Sequence, residues 1–268
     1  MVSLFLHEMP AFFTSHSYKW FYCSSCSVCY LVCYLGVVLD SNLSFSANIS
    51  KTASACFCAP RRIRSIRKCI TRQSTRTLVT SLVLSRLDYC LAVHAGLPAI
   101  ATRHLQRVLH TSARLIFAAK NQDPVSPLLC DLKWLSVKAR IKLRIGMIGF
   151  LCHKGLAPSY LISEITPIST LNGRERLRSA SSNCFAVPLT RCPNLGGRAF
   201  SAMMAATWNR VPSFLKNTDS LSNFKKHFKE FLLQNDLYKA LKPVLAITLL
   251  LNKLELELEL ACKTKKLW

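Results

Sequence analysis

Over residues 35–234 the apolar positions recur every three or four residues, with basic residues between them. This spacing is typical of amphipathic helices, so the predicted fold class is mainly α. Residues 1–34 are instead rich in Cys and aromatic side chains, and residues 254–260 alternate as LELELEL. We expect residues 1–34 and 235–268 to be disordered or unrelated to the middle zone, the alternating run being a strand or a translated simple repeat.

The first predicted helix begins at Pro60, because proline suits the first turn of a helix. The basic residues that follow lie on one face at about 100° per residue, with isoleucines opposite. The sequence therefore predicts one continuous helix with a basic outer stripe. The stripe consists of Arg61, Arg64, Lys68, Arg72 and Arg76, and the apolar side of Ile63, Ile66 and Ile70.

A second helix is predicted over residues 103–117, after a turn at Gly96, and its polar face carries Arg103 and Arg107. A further helix is predicted near residue 220, with Asp219 or Ser220 as its cap. Its apolar stripe is Leu221, Phe224, Phe228, Phe231 and Leu232, and Lys225, Lys226 and Lys229 face water.

Between these two helices, a third is predicted from Ser136 to about His153. Gly146 and Gly149 fall inside it, and each is expected to weaken the helix by up to about 1 kcal/mol. The overall expectation is a helical bundle followed by a small helical region.

The charge of the chain indicates a polyanionic partner. Lys and Arg number 36 against 13 Asp and Glu, which gives a net charge of +23. Nucleic acid, as RNA or single-stranded DNA, is the first expectation, and an anionic membrane surface is the second. The corresponding location is cytoplasmic or nuclear, with a membrane as the alternative.

One stretch supports the membrane alternative. Trp20 to Leu39 contains no charged residue and has the length of a membrane span. If it inserted, the basic excess after Asp40 would place the following residues in the cytoplasm. A membrane-anchored protein through residues 20–39 is therefore retained as an alternative function.

Four cysteines in the first zone have the spacing of an iron–sulfur motif, C-x₂-C-x₂-C-x₃-C. The residue after the fourth is Tyr34 rather than proline, and no second cysteine run follows. We expect no cluster, zinc or other cofactor at this group, which consists of Cys23, Cys26, Cys29 and Cys33.

No catalytic residues are predicted. Polymerase chemistry needs carboxylates that hold two metal ions, usually including an adjacent pair. Each Asp of the chain stands apart from any other acid, and phosphate-loop, G-x-S-x-G and H-E-x-x-H patterns do not occur. A nucleophilic Cys130 is the remaining candidate, and a structural cysteine is the alternative there. We therefore expect no enzyme activity and no small-molecule substrate.

The middle zone resembles the end of the reverse-transcriptase domain of LINE-type (non-LTR) retrotransposons and the region that follows it. Eight blocks occur in the order of that family. They are LGVVLDSNLSFSANI (35–49), IRSIRKCIT (63–71), LVTSLVLSRLDYCLAVHAGLP (78–98), LQRVLHTSARLI (105–116), PVSPLLCDLKWLSVKARIKLRI (124–145), GLAPSYL (155–161), GRAFSAMMAATWNRVP (197–212) and SLSNFKKHFKEFL (220–232).

The resemblance implies that residues 35–118 correspond to the end of the palm and the thumb, and residues 119–234 to a post-polymerase region. A thumb grips template and primer through backbone contacts, so the implied phosphate contacts are basic residues of the two helices. The alternative is that these residues are solvated faces of core helices. The implied contacts are Arg61, Arg64, Lys68, Arg72, Arg103 and Arg107.

The chain also departs from the family. The paired aspartates, most of the palm and the endonuclease are missing, Pro60 interrupts a family helix, and Gly146, Gly149 and His153 replace larger or apolar residues. These departures suggest a non-catalytic remnant in which changes were tolerated without selection. A module that a host has adopted for interactions is the remaining alternative.

Overall fold

The computed structural model describes residues 19–22, 30–171 and 183–236. Helices dominate these residues, which confirms the mainly α class. The chain forms two compact units, Met1–Val108 and Leu109–Trp268, and the boundary between them falls inside a helix. The strands are β1 (Lys19–Tyr22), β2 (Tyr30–Tyr34) and β3 (Val37–Asp40). The helices are α1 (Ser46–Ile66), α2 (Arg72–Val79), α3 (Ser85–Asp88), α4 (Ala99–Phe117), α5 (Val125–Asp131), α6 (Val137–His153), α7 (Ser159–Ile162), α8 (Pro193–Gly196), α9 (Phe200–Asn209), α10 (Ser213–Lys216) and α11 (residues 221–236).

The three strands form an antiparallel sheet in the order β1-β2-β3. Leu35 and Gly36, both with positive φ, make the tight turn between β2 and β3. The described parts of residues 20–39 are paired strands, not one helix, and no helix within the described ranges is long and apolar enough to cross a membrane.

Helix α1 begins at Ser46, so the prediction of a start at Pro60 was wrong. Pro60 lies inside the helix on its buried face, together with Ile49, Cys56 and Ile63. A proline inside a helix costs about 3 kcal/mol, and the burial of this apolar face offsets that cost. The proline therefore belongs to the core side of a longer helix.

Helices α2 and α3 form one continuous helical segment, because a π-helical turn, Thr80–Leu84, joins them. The wider turn keeps Val79, Val83 and Leu87 in the core, each exposed by 1% or less. A 3-10 turn, Leu91–His94, and Gly96 with positive φ then lead into α4. The turn predicted near Gly96 is confirmed, and α4 begins four residues earlier than expected.

In the second unit, α6 has the predicted bounds. Ser136 caps it, with its hydroxyl accepting the backbone N–H of Ala139. The carboxylate of Asp236 in turn accepts the Ser136 backbone N–H at 3.2 Å and its hydroxyl at 2.7 Å. Asp236 therefore belongs to the folded unit, and α11 continues past the expected end at residue 234.

Gly146 and Gly149 do not merely weaken α6, as expected from sequence, but allow close packing. A Cβ atom at Gly146 would lie 2.4 Å from Cε1 of Phe228, and one at Gly149 would lie 3.0 Å from Cε3 of Trp208. Phe228 belongs to α11 and Trp208 to α9. The two glycines thus bring both helices against the backbone of α6.

An aromatic cluster fills the space next to these glycines. Phe224 stacks on Phe150 with ring centroids 4.8 Å apart and on Phe228 at 5.3 Å. His153 joins the cluster, with its ring centroid 5.4 Å from that of Trp208. Its burial, and secondarily Lys154 and Lys216, hold the pKa of His153 below its usual value. His153 is therefore neutral at pH 7 and packs as an aromatic ring.

Helix α11 and its cap are confirmed, and its predicted apolar stripe is confirmed except at Leu221, which is 36% exposed. Ser220 caps it, with its hydroxyl accepting the backbone N–H of Asn223 at 3.3 Å, and Asp219 is exposed. Phe224 and Phe228 are buried, as the apolar stripe indicated. The lysines on the opposite side are exposed: Lys225, Lys226 and Lys229.

Candidate nucleic-acid interface

The six residues expected to contact phosphate are all exposed side chains of the first unit. Four lie close together in the sequence at the end of α1 and the beginning of α2, and two lie on α4. Exposure satisfies the first requirement for a contact with a polyanion. The six are Arg61 and Arg64 on α1, Lys68 in the following 3-10 turn, Arg72 at the first position of α2, and Arg103 and Arg107 on α4.

The basic stripe does not follow one continuous helix, so that prediction was wrong. Helix α1 ends at Ile66, and Ile70 adopts an extended conformation with φ −120° and ψ 150°. The Thr71 hydroxyl then accepts the backbone N–H of Ser74 at 3.1 Å and caps α2. Thr and Ser favour helix caps because their side chains replace missing backbone partners.

The bend has a second hydrogen bond that stabilises it. Nη1 of Arg67 donates to the carbonyl oxygen of Ile70 at 3.1 Å. This bond satisfies a carbonyl that a continuous helix would have used, since Ile70 is extended. Ile66, expected on the apolar side, is 47% exposed at the end of α1. The cations therefore surround a bend between two helices.

The opposite face of α1 anchors it in the core. Cys56 is fully buried, and its thiol donates to the carbonyl oxygen of Val83 at 3.8 Å. Burial raises the pKa of Cys56 to about 11, against a smaller opposing effect of Arg86. The thiol is therefore protonated and structural. Packing of this face fixes the direction in which Arg61 and Arg64 leave the helix.

Asp40 organises the start of α1. Its carboxylate accepts the backbone N–H groups of Ser44 and Phe45, both at 2.8 Å, and the Ser44 hydroxyl at 2.6 Å. Burial alone would raise the pKa of Asp40, but these hydrogen bonds outweigh it and lower the pKa below 3.8. Asp40 is therefore ionised at neutral pH and committed to this turn.

Few acids oppose the basic surface. Between residues 30 and 108 only Asp40 and Asp88 are acidic. Four further exposed cations of this range were not among the predicted contacts, although Arg62 directly follows the predicted Arg61 in the sequence. These are Lys51, Arg62, Arg76 and Arg86.

The first half of helix α4 carries two further exposed cations. Leu105 and Val108 are fully buried on one side, and Arg103 and Arg107 are exposed on the other. Later in the helix the basic residues turn inward: Nη2 of Arg114 donates to the carbonyl oxygen of Asp123 at 3.1 Å. Burial, with a smaller effect of Arg114, lowers the pKa of His110. On the basic face of α4, the arginines that are exposed to solvent are therefore Arg103 and Arg107.

Three of the described carboxylates form hydrogen bonds that stabilise the fold. Asp123 accepts the backbone N–H of Lys120 at 2.7 Å, Asp40 holds the start of α1, and Asp236 contacts Ser136. Across residues 19–22, 30–171 and 183–236, no group of three His, Cys, Asp or Glu side chains could hold a metal ion. Cys33 is described, whereas Cys23, Cys26 and Cys29 lie outside the described residues.

Cys130 has the environment of a protonated thiol. It is half-buried, and burial together with the neighbouring Asp131 raises its pKa. A nucleophilic cysteine needs the opposite shift, because the thiolate is the reactive species. The structural alternative is therefore favoured for Cys130.

The first unit offers a set of exposed cations on helices, and such groups suit the binding of phosphates. Neither the protein-family models, nor the curated proteins, nor the solved structures with which the chain was compared contain a match to it.

Proposed function

We propose that the chain is a non-catalytic remnant of a non-LTR retrotransposon reverse transcriptase with a latent capacity to bind RNA or single-stranded DNA without strong sequence preference. The observation that carries the binding is the set of exposed arginines and lysines around the bend between α1 and α2 and on α4. In the same range of the chain only two residues are acidic. Such a surface attracts phosphate through charge alone.

The proposed ancestry rests on the eight sequence blocks and their order along the chain. The helical structure of residues 46–117 is consistent with the thumb that the resemblance implies there. Strand β3 lies within the first block, which the resemblance relates to the last strand region of the palm. These agreements support the proposal only in the kind of secondary structure, helix or strand, that each region forms.

The expected mode of binding follows from the kind of side chains exposed. Guanidinium and ammonium groups bind phosphate oxygens, and the contacts position a strand without reading its bases. Arg103 and Arg107 are four residues apart on one helix and so lie on the same side of α4. Binding should therefore depend on salt far more than on sequence.

The test is a titration of the purified full chain against labelled single-stranded DNA and RNA of two unrelated sequences at several salt concentrations. Four phosphate contacts give a slope of log affinity against log salt of about −3 for a single strand. We expect this slope, with closely similar affinities for the two sequences. Vesicles with an anionic surface serve as competitor. A slope near zero, or tight binding to one sequence alone, would contradict the proposal.

A further inference from the structure

Tyr89 exposes an aromatic ring on the first unit. Between residues 34 and 108 the chain has four Phe and Tyr side chains and no Trp. Phe45 is buried, and Tyr34 and Phe57 are half-buried. Tyr89, by contrast, is 56% exposed. The fold therefore offers one aromatic ring of this range to solvent.

The fold also fixes the position of this ring. Tyr89 directly follows α3, and its backbone is extended, with φ −65° and ψ 125°. Leu87 and Leu91 on either side are each 1% exposed and anchor the backbone in the core. The phenol hydroxyl donates to the carbonyl oxygen of Leu35 at 2.7 Å, in the turn between β2 and β3. A side chain that is held at both ends loses little conformational entropy when a ligand stacks on it.

Two exposed cations lie in the neighbourhood of the ring. Arg86 and Tyr89 are three residues apart at the end of α3, which is the spacing of neighbouring side chains on a helix. Lys51 of α1 approaches the same hairpin, with its Nζ 4.0 Å from Sγ of Cys33. Cys33 precedes Leu35 by two residues, a distance of about 7 Å along a strand. Both cations are exposed, so the ring and positive charge are available together.

One acid lies close to the ring in the sequence. Asp88 directly precedes Tyr89, but its side chain is half-buried. Arg86 and Lys51 are exposed, so the charge that faces solvent around the ring is mainly positive.

The combination of an exposed ring with cations is typical of single-strand binding. Proteins that bind single strands without sequence preference hold the backbone through a basic surface and stack bases on aromatic side chains. An apolar protein surface is the competing occupant, because Leu35 beside the ring is also 56% exposed. The flanking cations favour a nucleic-acid strand, since the core of a protein interface is depleted in charged residues.

We propose that Tyr89 is a base-stacking position, on which one base of a single strand lies while Lys51 and Arg86 contact phosphates beside it. This inference rests on the proposed binding of RNA or single-stranded DNA, and it adds a contact to the bases. Stacking accepts any base, because every base has a π face. The chain should therefore prefer single strands to a duplex, whose bases are already stacked on one another.

The test compares two single strands of equal length in titrations of the full chain. One strand has about 15 thymidines, and the other has the same sugar–phosphate backbone without bases. We expect the strand with bases to bind about tenfold more tightly, which is the scale of one stacked base. Tyr89→Leu should abolish this difference and leave the affinity for the abasic strand unchanged. The slope of log affinity against log salt should also stay the same, because the phosphate contacts remain.

Two further variants serve as controls. Tyr89→Phe keeps the ring and should keep the preference for the strand with bases. Tyr160→Leu removes a tyrosine of the second unit that is 67% exposed, and it should leave the preference intact. Equal binding of both strands by the original chain, or equal loss in Tyr160→Leu, would overturn stacking at Tyr89 and leave binding through charge in place. Binding of neither strand would contradict the proposed function as well.

Photocrosslinking decides the question even if Tyr89→Leu does not fold. A single strand that contains 5-iodouracil should crosslink to the tryptic peptide of residues 87–103, in which Tyr89 is the one Phe, Tyr or Trp. The peptide of residues 155–174, in which Tyr160 is the one such residue, is the control. Crosslinks on other peptides alone would overturn the proposal. A chain that forms dimers, and that Tyr89→Leu converts to monomers, would assign the ring to a second copy and overturn it too.

Discussion

The side-chain amide of Asn48 links the imidazole of His94 to strand β3. Its Oδ1 accepts the backbone N–H of Val38 at 3.0 Å, and its Nδ2 donates to Nε2 of His94 at 3.1 Å. Both side chains are buried. Because Oδ1 is used as an acceptor, Nε2 must accept and the His94 ring must carry its proton on Nδ1. One amide thus joins the sheet, α1 and the 3-10 turn before α4.

We predict that Asn48→Leu destabilises the chain by about 3 kcal/mol, because it leaves a buried backbone N–H and a buried ring nitrogen without partners. The measurement is the free energy of unfolding in urea. Asn223→Leu, an exposed position on α11, makes the same replacement and should change it by less than about 0.5 kcal/mol. Equal effects of the two variants would show that the buried amide contributes little.

Gly146→Ala should destabilise the second unit, although alanine favours a helix by about 1 kcal/mol. The added methyl group would meet Cε1 of Phe228 at 2.4 Å, and Phe228 cannot easily move because it stacks on Phe224 and Phe231. We expect a net loss of about 1 to 3 kcal/mol in urea unfolding.

The double variant Gly146→Ala with Phe228→Leu is the control for that clash. Its loss should be smaller than the sum of the two single losses, since the shorter side chain removes the contact. Gly149→Ala, whose nearest atom would be 3.0 Å away, should cost less than Gly146→Ala. A stabilised Gly146→Ala would mean that α11 does not approach α6 so closely.

Asp40→Asn should cost about 1 kcal/mol at pH 7, because the carboxylate accepts two backbone N–H groups in the turn before α1. The pKa of Asp40 is lowered in the folded chain. The ionised carboxylate therefore contributes its full stabilisation of the fold above the usual pKa of 3.8, and this stabilisation is lost as the pH falls through the lower pKa of the folded chain. The free energies of unfolding of the original chain and of Asp40→Asn should therefore differ at pH 7 and converge below pH 3.8. A constant difference would rule out the charge as the cause.

The elements that sequence predicted well are those whose signals are local. The bounds of α6 follow from the Ser136 cap and the apolar spacing after it, and α11 follows from Ser220 and its phenylalanines. The bend at Ile70 also has a local signal in the cap formed by Thr71 and Ser74. The helical spacing of the basic residues continues on both sides of the bend, however, and therefore suggested one continuous helix.

What sequence could not predict depends on contacts between distant residues. Gly146 was interpreted as a weakness of α6, since no residue close to it in the sequence indicates that Phe228 will pack against it. The contact between Lys216 and Cys184 spans 32 positions and has no motif. For the candidate interface, residue type and exposure were predictable, whereas the division of the stripe between two helices was not.

The double variant Arg64→Gln with Lys68→Gln tests the basic bend. Removing two phosphate contacts should flatten the slope of log affinity against log salt by about 1.4. Helix content, followed by circular dichroism, should be unchanged because glutamine is a good helix former. Lys225→Gln with Lys226→Gln alters the net charge equally on α11 of the other unit. If both double variants flatten the slope equally, binding follows total charge and not this surface.

We predict that the full chain extends no primer and cuts no nucleic acid with Mg²⁺, because no two adjacent acids are present to hold a pair of metal ions. The assay is primer extension and nicking with purified chain at several concentrations. Activity that survives purification over two further columns and disappears on replacing any one Asp would contradict this expectation.

The two glycines of α6 have an implication for the history of the reading frame. Every replacement of glycine adds a Cβ, and at residues 146 and 149 that atom would meet an aromatic ring of another helix. A reading frame that drifts without constraint accumulates such replacements, because every change in the first two bases of a glycine codon removes the glycine. Comparing these two codons among individuals and sister lineages would therefore separate a decaying insertion from a gene whose folded product is maintained.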